Sequence, residues 1–205
     1  MLEIKNLSKI YNSGKQQVEA VSNVSLEVED KKFVALVGPS GCGKTSLLKI
    51  IAGLLEPSSG EVILDGKKIL GPDKERGLIF QSFNLFPWLT VRKNISFGID
   101  LQNLDKAKKK EIVDRYLRIT GLIDFAEFYP KDLSGGMQQR AAIARTLANN
   151  PKIILMDECW ELLKSQASSS FMEYCVRTLR KTGSGITFIT QGLDADSRYL
   201  WTLPM

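Results

Sequence analysis

Near the N-terminus, Leu2 and Ile4, and later Val24, Leu26 and Val28, alternate with polar residues, the period-two pattern of half-buried strands. Residues 61–68, EVILDGKK, predict a further strand ending in an Asp-Gly turn. Three runs are apolar almost throughout: 33–37 (FVALV), Ile153–Met156 (IILM) and 186–189 (ITFI). A strand with one solvated face shows that face as polar positions, so these runs predict strands covered on both sides within a parallel sheet. Helical periodicity occupies 44–54, Lys106–Ile119, 136–148 and 168–181. Strands and helices that alternate in this way predict an α/β domain, with no internal repeat or low-complexity linker to divide its 205 residues.

Composition narrows the class. Hydrophobic content of 43% and charged content of 25% belong to an ordinary globular protein. No run approaches the ~18 apolar residues of a membrane helix, and the start, MLEIKNLSK, lacks an apolar signal core. A cytosolic chain is expected, unless a partner holds it at a membrane. The formal charge of +5 raises the question of nucleic acid. Its densest basic cluster, KAKKKE at 106–111, opens a helix whose apolar face is Ile112, Val113, Tyr116 and Leu117, so the lysines read as its solvated side. No nucleic-acid partner is expected. Cys42, Cys159 and Cys175 are odd in number and lack CxxC spacing, which favours reduced thiols over disulfides or a metal site.

Candidate chemistry begins where FVALV runs into GPSGCGKTS and then a helix. The pattern GxxxxGK[ST] is met by Gly38, Gly43, Lys44 and Thr45, with Pro39, Ser40, Gly41, Cys42 and Ser46 completing the loop. Glycines let successive backbone N–H groups turn inward around phosphate oxygens, and the following helix aims its N-terminus at the same charge. Lys44 then reaches the β- and γ-phosphates of a nucleotide, and the Thr45 hydroxyl is placed for Mg²⁺. Asp157 and Glu158 follow the IILM strand, at the sheet edge where ligands collect. Asp157 fits a metal-holding role and Glu158 that of polarising an attacking water. A second glycine site, LSGGMQQR at 133–140, offers Ser134 as a helix cap and Gly135 and Gly136 for close approach to an anion. One chain has no need of two distant phosphate-binding helix ends, so the second is read as serving another copy's nucleotide.

Taken in order, these motifs resemble the nucleotide-binding subunits of ATP-binding cassette (ABC) transporters over nearly the whole chain: Walker A at 38–45, a Q-loop glutamine at Gln81 in IFQSF, the signature at 133–140, and Walker B at 153–157 followed by Glu158. Tyr11 matches the aromatic that stacks on adenine in this family. The resemblance implies a P-loop NTPase (RecA-like) core, an N-terminal antiparallel β-subdomain and an inserted helical subdomain at about 88–148. It implies two ATP molecules between two subunits, as a homodimer or with a paired ATPase subunit, each nucleotide meeting one Walker A and the opposite Ser134, Gly135, Gly136 and Gln138. Gln81 would touch Mg²⁺ and water, alongside Thr45 and Asp157. The segment NLFPWLTVRKNISFGI resembles importer ATPases for nitrate, sulfonate and taurine type substrates, with Phe86, Pro87 and Trp88 near the groove for the permease's coupling helix. Permease subunits, a periplasmic or surface substrate-binding protein acting indirectly, and a peripheral position on the cytoplasmic face of the membrane follow from the same resemblance.

After Glu158 the pattern changes. The family's D-loop aspartate position holds Lys164, its switch histidine is Gln191, and no histidine occurs anywhere. Gln191 can donate a hydrogen bond to a γ-phosphate oxygen but cannot cycle a proton. The chain ends at YLWTLPM, where the family continues with further strands. Two functions stay open on this reading: an ATPase subunit that powers an importer, and a nucleotide-dependent dimerisation module that hydrolyses poorly. A soluble ABC protein acting on DNA or ribosomes usually needs insertions or tandem cassettes, which this length does not hold.

Overall fold

The computed structural model describes residues 1–156, apart from Lys15, Lys31, Val37 and 81–83, together with the backbone of 187–191. The described residues form two sheets. The first orders its strands β2-β1-β4-β5, all antiparallel: β1 (Leu2–Ser13), β2 (Gln16–Val28), β4 (Ser59–Leu64) and β5 (Lys67–Lys68). The expected Asp-Gly turn joins β4 to β5, with Asp65 at φ 50° and Gly66 at φ 76°. The second sheet is parallel, in the order β3-β8-β7-β6: β3 (Phe33–Leu36), β8 (Thr187–Gln191), β7 (Ile153–Met156) and β6 (Arg76–Ile79). The apolar runs accordingly lie in the parallel sheet, with Ile153 to Met156 fully buried.

Helix α1 (Lys44–Ile51) shares one core with both sheets: Leu48, Ile50 and Ile51 cluster with Leu2, Ile4 and Leu7 of β1, Val62 and Leu64 of β4, and Ile153 and Leu155 of β7. It stops earlier than the periodicity suggests, because Gly53 takes φ 78° and the chain turns away. A second core belongs to α2 (Val91–Asp100), α3 (Lys106–Ile119) and α4 (Gly135–Leu147). Val91, Ile95 and Ile99 recur every fourth residue along α2, facing Val113 and Leu117 of α3 and Ala141 and Ala144 of α4. Lys106, Lys108 and Lys110 are exposed, as expected, whereas Lys109 is half-buried and donates to the Asp100 carbonyl at 2.9 Å. Each helix of this core has a side-chain cap at its start: Thr90 accepts from Lys93 N–H at 3.3 Å, Asp105 from Lys108 N–H at 2.7 Å and Ser134 from Met137 N–H at 3.4 Å. Across the same core Arg92 bridges Asp114 at 2.5 Å and Glu127 at 2.8 Å, tying α2 to α3 and to the segment after it.

The expected helix at 168–181 lies outside the described residues. The apolar pattern does not predict strand β6 or helix α2. RGLI is too mixed to stand out, and Asn94, Ser96 and Gly98 interrupt the apolar signal of α2.

Candidate functional site

The glycine loop leaves β3 after Leu36 and closes on Gly43, which takes φ 92° and caps α1. A Cβ at Gly43 would overlap the Ala20 carbonyl oxygen of β2, so glycine is required twice over: for the dihedral and for the approach. No acidic residue occupies the first turn of α1. Its leading backbone N–H groups therefore present an undiluted positive end. Lys44 folds back over the loop: its ammonium donates to the Gly38 carbonyl at 2.7 Å and the Pro39 carbonyl at 2.8 Å, and lies 3.5 Å from the exposed Cys42 thiol. Pro39, Ser40 and Gly41 line the outside of the loop, with Ser40 and Gly41 exposed. Thr45 and Ser46 sit half-buried in the first helical turn. A cation inside a curl of backbone at a helix N-terminus is chemistry for a multiply charged anion.

Tyr11, far from Lys44 in sequence, is brought to the same helix end. Its hydroxyl lies 3.0 Å from Ser46 Oγ, an O–H···O bond in which either group donates. The residue is 39% exposed.

Strand register assembles the other edge. Leu36 pairs with Gln191, Met156 with Thr190, and Ile79 with Met156. The C-terminal ends of the described parallel strands are thereby aligned beside the glycine loop, and Gln191 closes β8 next to the strand that feeds it. Only the backbone of Gln191 is described. Gln81, Asp157 and Glu158, with Lys164, lie outside the described residues.

The signature residues sit elsewhere, on the second core. Ser134, Gly135 and Gly136 are exposed at the start of α4, and a Cβ on Gly136 would meet nothing within 4 Å. That open helix end suits an external anion. Gln138, next to them, is anchored within its own chain. Its amide donates to the Pro130 and Leu133 carbonyls at 3.0 and 3.2 Å, holding the preceding 3-10 turn (Pro130–Asp132) against α4.

Two features leave no mark in the sequence pattern. Asn94, wholly buried, accepts from Phe86 N–H at 2.8 Å and donates to the carbonyls of Phe86, Leu89 and Thr90 at 3.0–3.1 Å, so one side chain shapes the whole turn 86–90. Arg145 of α4 stacks its guanidinium 5.3 Å from the Phe86 ring centre and donates to the Asn84 carbonyl at 2.7 Å. Burial lowers the pKa of Arg145. Trp88 beyond them is 70% exposed. A groove of about 940 Å³ opens beside this turn, its wall including Phe86, Phe97, Arg76, Lys74 and Arg145. Their spacing gives no signal, because Asn94 reads as a flaw in an apolar stripe and Arg145 as a surface charge.

The chain matches the family described as ABC transporter over residues 21–161. It is 45% identical to an uncharacterized ABC transporter ATP-binding protein of Methanocaldococcus jannaschii, across 94% of this chain and 72% of that one. It is 42% identical to the nitrate import ATP-binding protein NrtD of Synechocystis sp., across 94% and 73%. The taurine import ATP-binding protein TauB of Roseobacter denitrificans is 43% identical across 94% and 72%. Among solved structures, the dimeric post-hydrolysis ATP-binding cassette MJ0796, bound to ADP and Pi, superposes with a TM-score of 0.83 at 33% identity, covering 94% of this chain and 88% of that one.

Proposed function

This chain belongs to the ABC transporter family, as an ATP-binding subunit of the importer type, and from that premise we propose that the loop 38–46 holds ATP with Mg²⁺ while the signature completes the site of a facing subunit. The observation that carries the reading is the Lys44 ammonium held inside the glycine loop at the start of α1, with Tyr11 tied to the same turn. The surroundings fit a polyphosphate: backbone N–H groups and one cation converge, and the first turn carries no carboxylate to oppose them. Lys44 takes the β- and γ-phosphates, Tyr11 the adenine, and Thr45 the metal, with Gln81 and Asp157 as its further partners. Bound Mg²⁺ supplies charge neutralisation for phosphoryl transfer. Glu158 polarises the attacking water, and Gln191 donates toward the γ-phosphate.

Two subunits pair head to tail, since exposed Ser134, Gly135 and Gly136 lie on a different core from the chain's own loop. A permease docks at the turn 86–90, where Trp88 offers an exposed aromatic anchor beside a groove bordered by basic side chains. Among the described residues no helix is long and apolar enough to cross a membrane. In this reading the docked permease holds the subunit at the cytoplasmic face. A periplasmic or surface binding protein and the permease select the cargo. The helices α2–α4 form the inserted subdomain of a single domain spanning 1–205.

A second reading, a dimerisation module of slow turnover, rests on Gln191 and Lys164 in place of the family's histidine and aspartate. Steady-state hydrolysis compared with ATP affinity separates the two. The head-to-tail reading is tested by sedimentation of Glu158→Gln, which neutralises the base but keeps the phosphate loop. A dimer that forms only with ATP and Mg²⁺ is expected, and a monomer at saturating nucleotide in the presence of the permease would overturn it.

A further inference from the structure

Tyr11 is 39% exposed, and two contacts define its ring. Its hydroxyl is bonded to Ser46, and the Lys9 ammonium lies over the ring, 5.4 Å from its centre. Lys9 is itself held, because its ammonium donates to the Glu56 carbonyl at 2.8 Å in the turn that follows α1. That turn also grips the strand: Ile10 N–H donates to Ser58 Oγ at 2.9 Å, and Ser58 N–H to the Ser8 carbonyl at 2.8 Å. The anchoring coincides with the irregular register of β1 against β2 around Lys9 and Ile10, where strand pairing alone leaves side-chain direction loose.

We propose that Lys9 is a positioning residue for base recognition: pinned to the Glu56 carbonyl, its ammonium occupies one face of the Tyr11 ring and leaves the opposite face to adenine. A cation is attracted to the electron-rich face of an aromatic ring. It draws π density toward itself, and the far face becomes a better partner for an electron-rich purine. The same contact limits ring rotation, so less freedom is lost when the base arrives. Lys9 thereby acts on the base and not on the phosphates, which belong to Lys44. The inference rests on the reading of Tyr11 as the base platform.

The test titrates the full chain with Mg-ATP and, separately, with Mg-tripolyphosphate, which has the phosphates but no base. Tyr11→Ala is expected to weaken ATP by about 5- to 150-fold, the range for loss of one base–aromatic stack, and to leave tripolyphosphate at its wild-type affinity. Lys9→Gln is expected to weaken ATP by about 2- to 5-fold with tripolyphosphate unmoved. Lys9→Arg, which keeps a cation over the ring, retains the wild-type ratio between the two ligands. A wild-type ratio in Lys9→Gln overturns the proposal, whether neither affinity moves or both fall together as a general charge effect. If Tyr11→Ala binds ATP as the wild type does, the platform reading itself fails and Lys9 has nothing to position.

Discussion

Asn94→Ala is expected to be among the costlier single changes in the helical part of the protein. The side chain is wholly buried and meets four backbone groups of the turn 86–90, its two amide hydrogens shared among three carbonyls. Not all four partners are stranded by its loss. The Thr90 carbonyl still accepts from the Asn94 backbone N–H at 2.8 Å, and the Phe86 carbonyl from Leu89 N–H at 3.1 Å. Phe86 N–H and the Leu89 carbonyl lose the partner that Asn94 provides. An unsatisfied buried group costs about 1–3 kcal/mol, and water reaches this half-exposed turn once it loosens, so a total of about 2–4 kcal/mol follows. With a urea slope near 2–3 kcal/mol/M, the unfolding midpoint should fall by about 1 M. Asn94→Asp, which sets a buried carboxylate against the carbonyls of Phe86, Leu89 and Thr90, should cost at least as much at neutral pH as Asn94→Ala. Equilibrium urea denaturation of the variants checks both values. A shift below about 0.2 M for Asn94→Ala would mean that the turn stands without its tether, and the account of how Phe86 and Trp88 are held would fail.

Gly43→Ala should lower ATP affinity by about tenfold or more and stability by about 2 kcal/mol, because it adds left-handed strain to a collision with backbone that no rotamer relieves. Wild-type titration and thermal midpoints in that variant would contradict it. Lys110 and Arg92, by hydrogen bonding, depress the Asp114 pKa from 3.8 to about 2. A depressed carboxylate stabilises the fold above its unfolded pKa and loses that contribution as pH falls through the folded value, so the window here runs from about pH 4 down to 2. Asp114→Asn should therefore be less stable than wild type by about 1–2 kcal/mol at pH 7, after allowance for solvent screening, with the gap closing between about pH 4 and 2. A gap that stays constant across that range, measured by denaturant midpoints, would remove Asp114 from the account.

The parts of the fold legible in the sequence are those where one physical demand dominates. IILM has no solvated face and reads as a buried strand; Asp65-Gly66 needs positive φ twice and reads as a turn; Lys106–Ile119 keeps a clean apolar stripe. The glycine loop is legible because close backbone approach admits so few residues, as Gly43 against Ala20 illustrates. Helix α2 is not, because its most buried polar residue, Asn94, serves a turn outside the helix, and a tertiary demand of that kind leaves no period. The Lys9–Tyr11–Ser46 arrangement is half legible. Tyr11 can be singled out by its place in SKIYNSG, but Ser46 and the Glu56 carbonyl meet it only through the fold.

The central claim is that Lys44 and the glycine loop bind the phosphates of ATP. Calorimetric titration of Mg-ATP into the wild type and into Lys44→Ala tests it most directly, since the variant removes the cation that the Gly38 and Pro39 carbonyls hold inside the loop. Saturable, stoichiometric heats from the wild type and none from the variant are predicted. Equal affinity in the two proteins would contradict the assignment of the site.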